Sequence, residues 1–199
     1  MIKVEAIELW RDKNLVLSNF SANFPNNQVT LIKGANGSGK TSLLKAISGE
    51  LKINSGSITY EGTNIYQMSA KTQTGFRSVM MQQASFLFNY HVGELLDLVK
   101  VYGELNPQSK KIETALEIDR TSSFSTLSIG QQQRVILAIA LSMNSSFYLL
   151  DEPISAQDEP HARAIAELIA DLSECHGFLI VDHGVSALGN RFSNICSVE

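Results

Sequence analysis

A chain of 199 residues with 44% apolar and 18% charged residues suits one compact domain with room for an inserted lobe. Its 16 basic residues form no block and the formal net charge is −4, so no nucleic-acid partner is expected. Charged content lies below the usual share of about 25%, which points to a partner covering part of the surface. Cys175 and Cys196 stand far apart, with no C-x-x-C and no zinc-type spacing, and two reduced core thiols are expected. The N-terminal run Met1 to Glu8 is charged every few residues and shows no apolar leader core. The longest apolar stretch, Val135 to Leu150, is interrupted at Ser142-Met143-Asn144-Ser145-Ser146. No secretory signal and no spanning helix are therefore expected, and a reducing cytosolic location fits.

Taken in chain order, residues 2–9 alternate apolar and charged and predict a half-buried strand. Residues 15–24 give a second strand, and 28–33 a third that runs into a glycine cluster. From Lys40 to Ser48 the pattern is helical, and Gly49 stops it. Residues 57–60 and 77–83 read as strands, with Glu61-Gly62 a turn. Residues 92–102 place Val92, Leu95, Leu96 and Val99 on one helical face, and 110–118 read as helix. An apolar helix follows over 131–142, a short buried strand over 147–150, a helix over 160–175 and a buried strand over 178–181. Pro160 and Gly177 punctuate that last helix. Buried apolar strands alternating with helices predict an α/β fold whose parallel sheet is covered on both faces.

Gly34-Ala35-Asn36-Gly37-Ser38-Gly39-Lys40-Thr41 satisfies G-x-x-x-x-G-K-[ST] between a predicted strand and a predicted helix. Glycines let such a loop fold tightly, with N–H groups aimed inward at phosphate oxygens. The following helix adds the positive end of its dipole. Lys40 supplies charge to the β- and γ-phosphates, and Thr41 offers a hydroxyl to Mg²⁺. Phe147 to Leu150 is an apolar strand ending in Asp151 and Glu152, at the sheet edge where ligands bind. Asp151 suits Mg²⁺, and Glu152 suits a general base acting on water. Ser128 and Gln131 have capping-box spacing at the start of the 131–142 helix, which reads either as a structural cap or as a second anion site, with the Ser128 hydroxyl and the Gly130 amide facing a phosphate.

With these residues in hand, the chain resembles the ATP-binding subunit of an ATP-binding-cassette (ABC) transporter. The family signature Leu-Ser-Gly-Gly-Gln is matched by Leu127-Ser128-Ile129-Gly130-Gln131, and the loop and the Asp151-Glu152 strand flank it in the family's order. The resemblance implies a P-loop NTPase with a mainly parallel sheet, an N-terminal antiparallel β lobe and a small inserted helical lobe. It implies one domain over 1–199, with 1–83 and 136–199 as nucleotide-binding core and 84–135 as helical lobe. ATP and Mg²⁺ are the implied cofactors. Gly34, Asn36, Gly37, Ser38, Gly39, Lys40, Thr41 and Ser42 would bind nucleotide, with Ser128, Gly130 and Gln131 reaching it from a second copy.

The resemblance also implies that Gln83 touches Mg²⁺ and the attacking water (Gln82 being an alternative), that His183 contacts the γ-phosphate, and that Trp10 stacks on adenine. The metal set is then Thr41, Gln83 and Asp151, and the catalytic set Glu152, His183 and Gln83. Ser155-Ala156-Gln157-Asp158 resembles the D-loop, where the family usually has Leu at the position of Gln157. The apolar segment Phe86-Leu87-Phe88-Tyr90 reads either as lobe core or as a docking surface for a membrane partner. Ile129 replaces a signature glycine with a β-branched residue that resists positive φ.

The implied partners are a transmembrane permease subunit and a second copy or paralogue on ATP binding, on the cytoplasmic face of the membrane. Length and the Ile129 substitution resemble the haem-exporter type. A non-transport ABC ATPase linked to DNA or translation is the competing class, and the roughly forty residues between Gln83 and the signature leave no room for its coiled coil.

Overall fold

The structure, a computed structural model, describes residues 1–11, 13–80, 90–182 and 192–198. Along the first half run β1 (Ile2–Arg11), β2 (Asn14–Phe24), β3 (Val29–Lys33), α1 (Lys40–Ile47), β4 (Ser55–Tyr60), β5 (Thr63–Asn64), α2 (Ala70–Phe76) and β6 (Arg77–Met80). The second half adds α3 (Val92–Tyr102), α4 (Ser109–Ala115), α5 (Ile129–Ser142), β7 (Phe147–Asp151), α6 (Glu159–Leu172), β8 (Gly177–Val181) and β9 (Asn194–Ser197).

Two sheets result. An antiparallel sheet has the order β2-β1-β4-β5, and a parallel sheet the order β6-β7-β8-β3-β9. Every residue of β7 and β8 is buried, which is what a parallel strand covered on both faces requires. Alternation along them sorts the core into two. Tyr148, Leu150, Phe178, Ile180 and Leu31 face a cluster built with α3, α5 and α6. Phe147, Leu149, Leu179, Val181 and Ile32 face the opposite way, onto α1 and the antiparallel sheet. Each such Leu or Phe contributes about 1.5–3 kcal/mol by leaving water. The parallel sheet is thus the middle layer, and the loop after β3 and the turn after β7 both leave from its carboxyl edge.

The strand pattern over 2–9 holds with one interruption. Ala6 has φ +46, and the β1–β4 register shifts between Glu5 and Glu8. Gly56 faces this bulge at φ +82, where a Cβ would collide with the Glu5 and Ala6 carbonyls. α2 escapes a periodicity search because only Phe76 in it is buried; Ser69 starts it by accepting from the Thr72 amide. β9 is an edge strand with Ile195 exposed, so it carries little apolar signal. α5 starts two residues earlier than its apolar pattern, because Ser128 caps it.

Asn106, wholly buried between α3 and α4, ties the lobe to the sheet. Its Nδ2 donates to the Leu141 carbonyl at 3.1 Å and to the Tyr148 hydroxyl at 2.8 Å. The Tyr148 hydroxyl in turn donates to the Met143 carbonyl at 2.8 Å. The expected pair of core thiols is corrected: both cysteines are free, but Cys175 is exposed just after α6, and Cys196 is half-buried on β9. Among the described residues no helix is long and apolar enough to cross a membrane.

Candidate functional site

After Lys33 the chain turns through Gly34 to Gly39 and enters α1. Gly37 has φ +81, and Gly39, the N-cap, has φ +100. A Cβ at Gly34 would collide with the Val198 carbonyl and the Ser38 hydroxyl; one at Gly39 would come within 2.7 Å of Val16 Cγ1. The loop is therefore wedged between β2 and the residue that follows β9, a fit that side chains would spoil. The first amides of α1 have no partner within the helix. Their dipole end and the loop amides make an anion cradle.

Lys40 is only 5% exposed, and its Nζ donates to the carbonyls of Gly34 at 2.9 Å and Ala35 at 2.8 Å. The Ser38 hydroxyl is buried with no hydrogen-bond partner, which suits a phosphate oxygen. Thr41 Oγ1 donates to Asp151 Oδ2 at 2.9 Å. That contact spans from the start of α1 to the end of β7, two strands away from β3 in the sheet. A hydroxyl and a carboxylate held together are hard oxygen donors of the kind Mg²⁺ takes. Among the described residues no group of three or more His, Cys, Asp and Glu side chains could hold a metal by itself. The pair therefore fits a cation that also binds phosphate and water. Asn36 lies exposed on the loop, and Ser42 is half-buried in the first turn of α1.

Asp151 is 2% exposed, while Glu152 beyond it is half-buried. Glu152 has φ +52, a left-handed conformation that costs a non-glycine residue about 1–3 kcal/mol. Its amide donates to the Val181 carbonyl at 2.8 Å, which fixes the turn against β8. Trp10 is 43% exposed near the end of β1, paired with Leu15. Its backbone amide donates to Asn54 Oδ1 at 2.9 Å. Val16, next to Leu15, touches the loop at Gly39, so the indole stands on the strand pair that borders the cradle. Gln83, Gln82, His183 and the segment 86–88 lie outside the described residues; Tyr90 is exposed.

Ser128 caps α5: its Oγ accepts from the Gln131 amide at 3.3 Å, and its own amide donates to Gln131 Oε1 at 2.9 Å. Ile129 is 77% exposed in the first turn of α5 and is not among the residues with positive φ. A positive φ is not required of this β-branched residue, because Ile129 is the first residue of a helix capped by Ser128. Gly130 does need its hydrogen: a Cβ would lie 2.8 Å from the Ala156 carbonyl. Sequence reasoning missed what surrounds this glycine. Gln133 and Gln157 join the start of α5 to the turn after β7. The signals available were the glutamine run at 131–133 and the departure from Leu at 157. Asp158 closes the turn by capping α6; its carboxyl is held below the usual range, first by the His161 amide and then by the His161 ring.

Comparison with known proteins fits this geometry. A family profile described as ABC transporter matches residues 17–155. The hemin import ATP-binding protein HmuV of Pseudomonas putida is 30% identical over 193 residues, covering 91% of this chain and 76% of that protein. The zinc uptake system ATP-binding protein ZurA of Listeria innocua is 31% identical over 212 residues, covering 100% of this chain and 82% of that protein. Both are named for uptake, in contrast to the exporter type suggested by length and Ile129. In three dimensions the fold overlays that of MJ0796, a bacterial ABC transporter cassette solved as a dimer, with a TM-score of 0.87 at 21% identity, covering 100% of this chain and 94% of that one. The matched span holds the phosphate loop, the signature-bearing start of α5 and the carboxylates at the end of β7, and the chain belongs to the ABC transporter family.

Proposed function

We propose that this ATP-binding, ATP-hydrolysing subunit works as a head-to-tail pair of chains enclosing two MgATP molecules, and that the pair drives a separate transmembrane permease from the cytoplasmic face of the membrane. The observation that carries the reading is the 2.9 Å contact between Thr41 and Asp151, which joins the anion cradle to the carboxylate strand. Gly34, Asn36, Gly37, Ser38, Gly39 and Ser42 surround the triphosphate with amides and hydroxyls, and Lys40 swings from its own loop carbonyls to the β- and γ-phosphates. Trp10 offers its exposed face to adenine. Mg²⁺, held by Thr41 and Asp151 with Gln83 as third protein contact, would neutralise charge between the β- and γ-phosphates.

Ser128, Gly130 and Gln131 of the second copy close over the γ-phosphate, because a capped helix start is a ready anion site. Such charge-assisted contacts across the interface make ATP the glue of the pair. Glu152 takes a proton from the attacking water, and His183 steadies the γ-phosphate as it leaves. Loss of that phosphate releases the second copy. The core is assigned to 1–83 and 136–199 and the lobe to 84–135, a division whose second crossing falls inside α5. Uptake is the favoured direction, since the two relatives named above carry uptake names.

Glu152→Gln keeps the size and loses the base. It is expected to hydrolyse ATP at least about a hundredfold more slowly and to elute as a dimer in MgATP. A Glu152→Gln protein that stays monomeric in saturating MgATP would overturn the paired-site reading for the isolated subunit.

A further inference from the structure

Two amide side chains that the proposed reaction leaves unused lie between the start of α5 and the turn after β7. Gln133 Nε2 donates to the Glu152 carbonyl at 2.6 Å and to Ser155 Oγ at 3.1 Å. Gln133 Oε1 accepts from the Ala156 amide at 3.2 Å and from Gln157 Nε2 at 2.8 Å. Gln157 Nε2 also donates to the Gly130 carbonyl at 3.0 Å, and Gln157 Oε1 accepts from the Arg134 guanidinium at 3.2 Å. One continuous run of hydrogen bonds therefore leads from the signature backbone at Gly130 to the backbone of Glu152.

The two ends of that run need holding for separate reasons. Glu152 sits at φ +52, a conformation that persists only when its surroundings over-determine it. Gly130 is in direct backbone contact with Ala156, with no room for a Cβ. A leucine at 157 would fill similar space but would neither donate to Gly130 nor accept from Arg134. In a partly buried setting, planar amides that satisfy one another fix orientation as well as distance.

We infer that Gln157, acting through Gln133, is a positioning residue that locks the strained Glu152 turn to the start of the signature helix. Movement of Gly130 when a second copy's nucleotide engages Ser128 is thereby passed to the carboxylate of the same chain. Hydrolysis in one composite site then responds to occupancy of the other. This rests on the reading of Glu152 as base and Ser128 as anion contact.

The test uses Gln157→Leu and, as a second route to the same break, Gln133→Ala, with wild type and Glu152→Gln alongside. Hydrogen exchange in the nucleotide-free protein is expected to rise in peptides covering 130–134 and 152–157, with helix α6 unchanged. In steady-state ATP hydrolysis, kcat is expected to fall roughly tenfold to a hundredfold, the size of a small misplacement of a catalytic group. KM for ATP should stay within about threefold, and the Hill coefficient should drop towards that of independent sites. Exchange that is unchanged in both variants overturns the lock. Faster exchange with kcat and Hill coefficient preserved overturns its role in positioning. Turnover retained by Glu152→Gln would instead overturn the reading of the base, while the exchange measurement still decides whether the lock exists.

Discussion

Replacing Asn106 with alanine removes the buried amide that holds the helical lobe to the parallel sheet. Three hydrogen bonds go: Nδ2 to Leu141 O at 3.1 Å, Nδ2 to the Tyr148 hydroxyl at 2.8 Å, and the Gln108 amide to Oδ1 at 2.9 Å. Two of the three stranded groups have some relief. Leu141 O keeps a longer contact from the Tyr148 hydroxyl at 3.4 Å, and the Gln108 amide is only half-buried, so water can reach it. The acceptor face of the Tyr148 hydroxyl has none. At about 0.5 kcal/mol for each of the two relieved contacts, and about 1–3 kcal/mol for the Tyr148 hydroxyl left unsatisfied, Asn106→Ala is expected to cost about 2–4 kcal/mol. Urea unfolding followed by fluorescence or circular dichroism measures this as a lower midpoint at unchanged slope. In a chain of this length the loss corresponds to a melting point lower by roughly 5–15 °C. The double variant with Tyr148→Phe should cost less than the sum of the two single changes, since both break the same contact. A midpoint shift worth less than about 0.5 kcal/mol, or strict additivity in the double variant, would refute the view that this amide joins lobe to sheet.

The phenol of Tyr148 gives a pH prediction. Burial pushes it up to about 12, against about 10 in the unfolded chain. The fold therefore keeps a proton that the unfolded chain releases. Stability is expected to be level below about pH 10 and then to fall by about 1.4 kcal/mol per unit up to about pH 12. Tyr148→Phe should remove that slope in denaturant titrations; equal slopes in the two proteins would contradict it. Lys40→Ala should weaken ATP binding at least about tenfold, as a charge-assisted contact to the triphosphate disappears; unchanged affinity in a fluorescent-nucleotide titration would remove Lys40 from its role. The two thiols should label at different rates with a disulfide reagent at neutral pH. Exposed Cys175 is expected to react first, and Cys196 slowly, because burial pushes its thiol up and leaves less thiolate. Equal rates would mean that β9 opens readily.

The parts of the site that depend on backbone shape were readable in advance. A strand, a run of glycines and a lysine at fixed spacing have one good geometric solution, so the loop Gly34 to Thr41 could be placed from the order of its residues. The apolar run ending in Asp151-Glu152 was equally direct, because a strand buried on both faces can end in two carboxylates only at a sheet edge. α2 was illegible for the opposite reason: it buries a single residue, Phe76, and leaves no periodic trace. Gln133 and Gln157 were missed because amide side chains carry no signal until their partners are known. Those partners lie 24 residues apart in sequence. The concern over positive φ at Ile129 did not apply, since nothing in its identity says that α5 begins at this residue, capped by Ser128. Gln83 and His183, named only through family resemblance, remain assignments made on sequence.

Lys40 rests on the carbonyls of Gly34 and Ala35. In the proposed role of Lys40, an arriving triphosphate would not relieve a stranded cation; it would trade one set of oxygen partners for another. The net affinity gained is smaller than the gross attraction between an ammonium and a phosphate, because the contacts given up were themselves favourable. In that proposed role, departure of the product would let the lysine return to its own backbone carbonyls, leaving the cradle in shape for the next nucleotide.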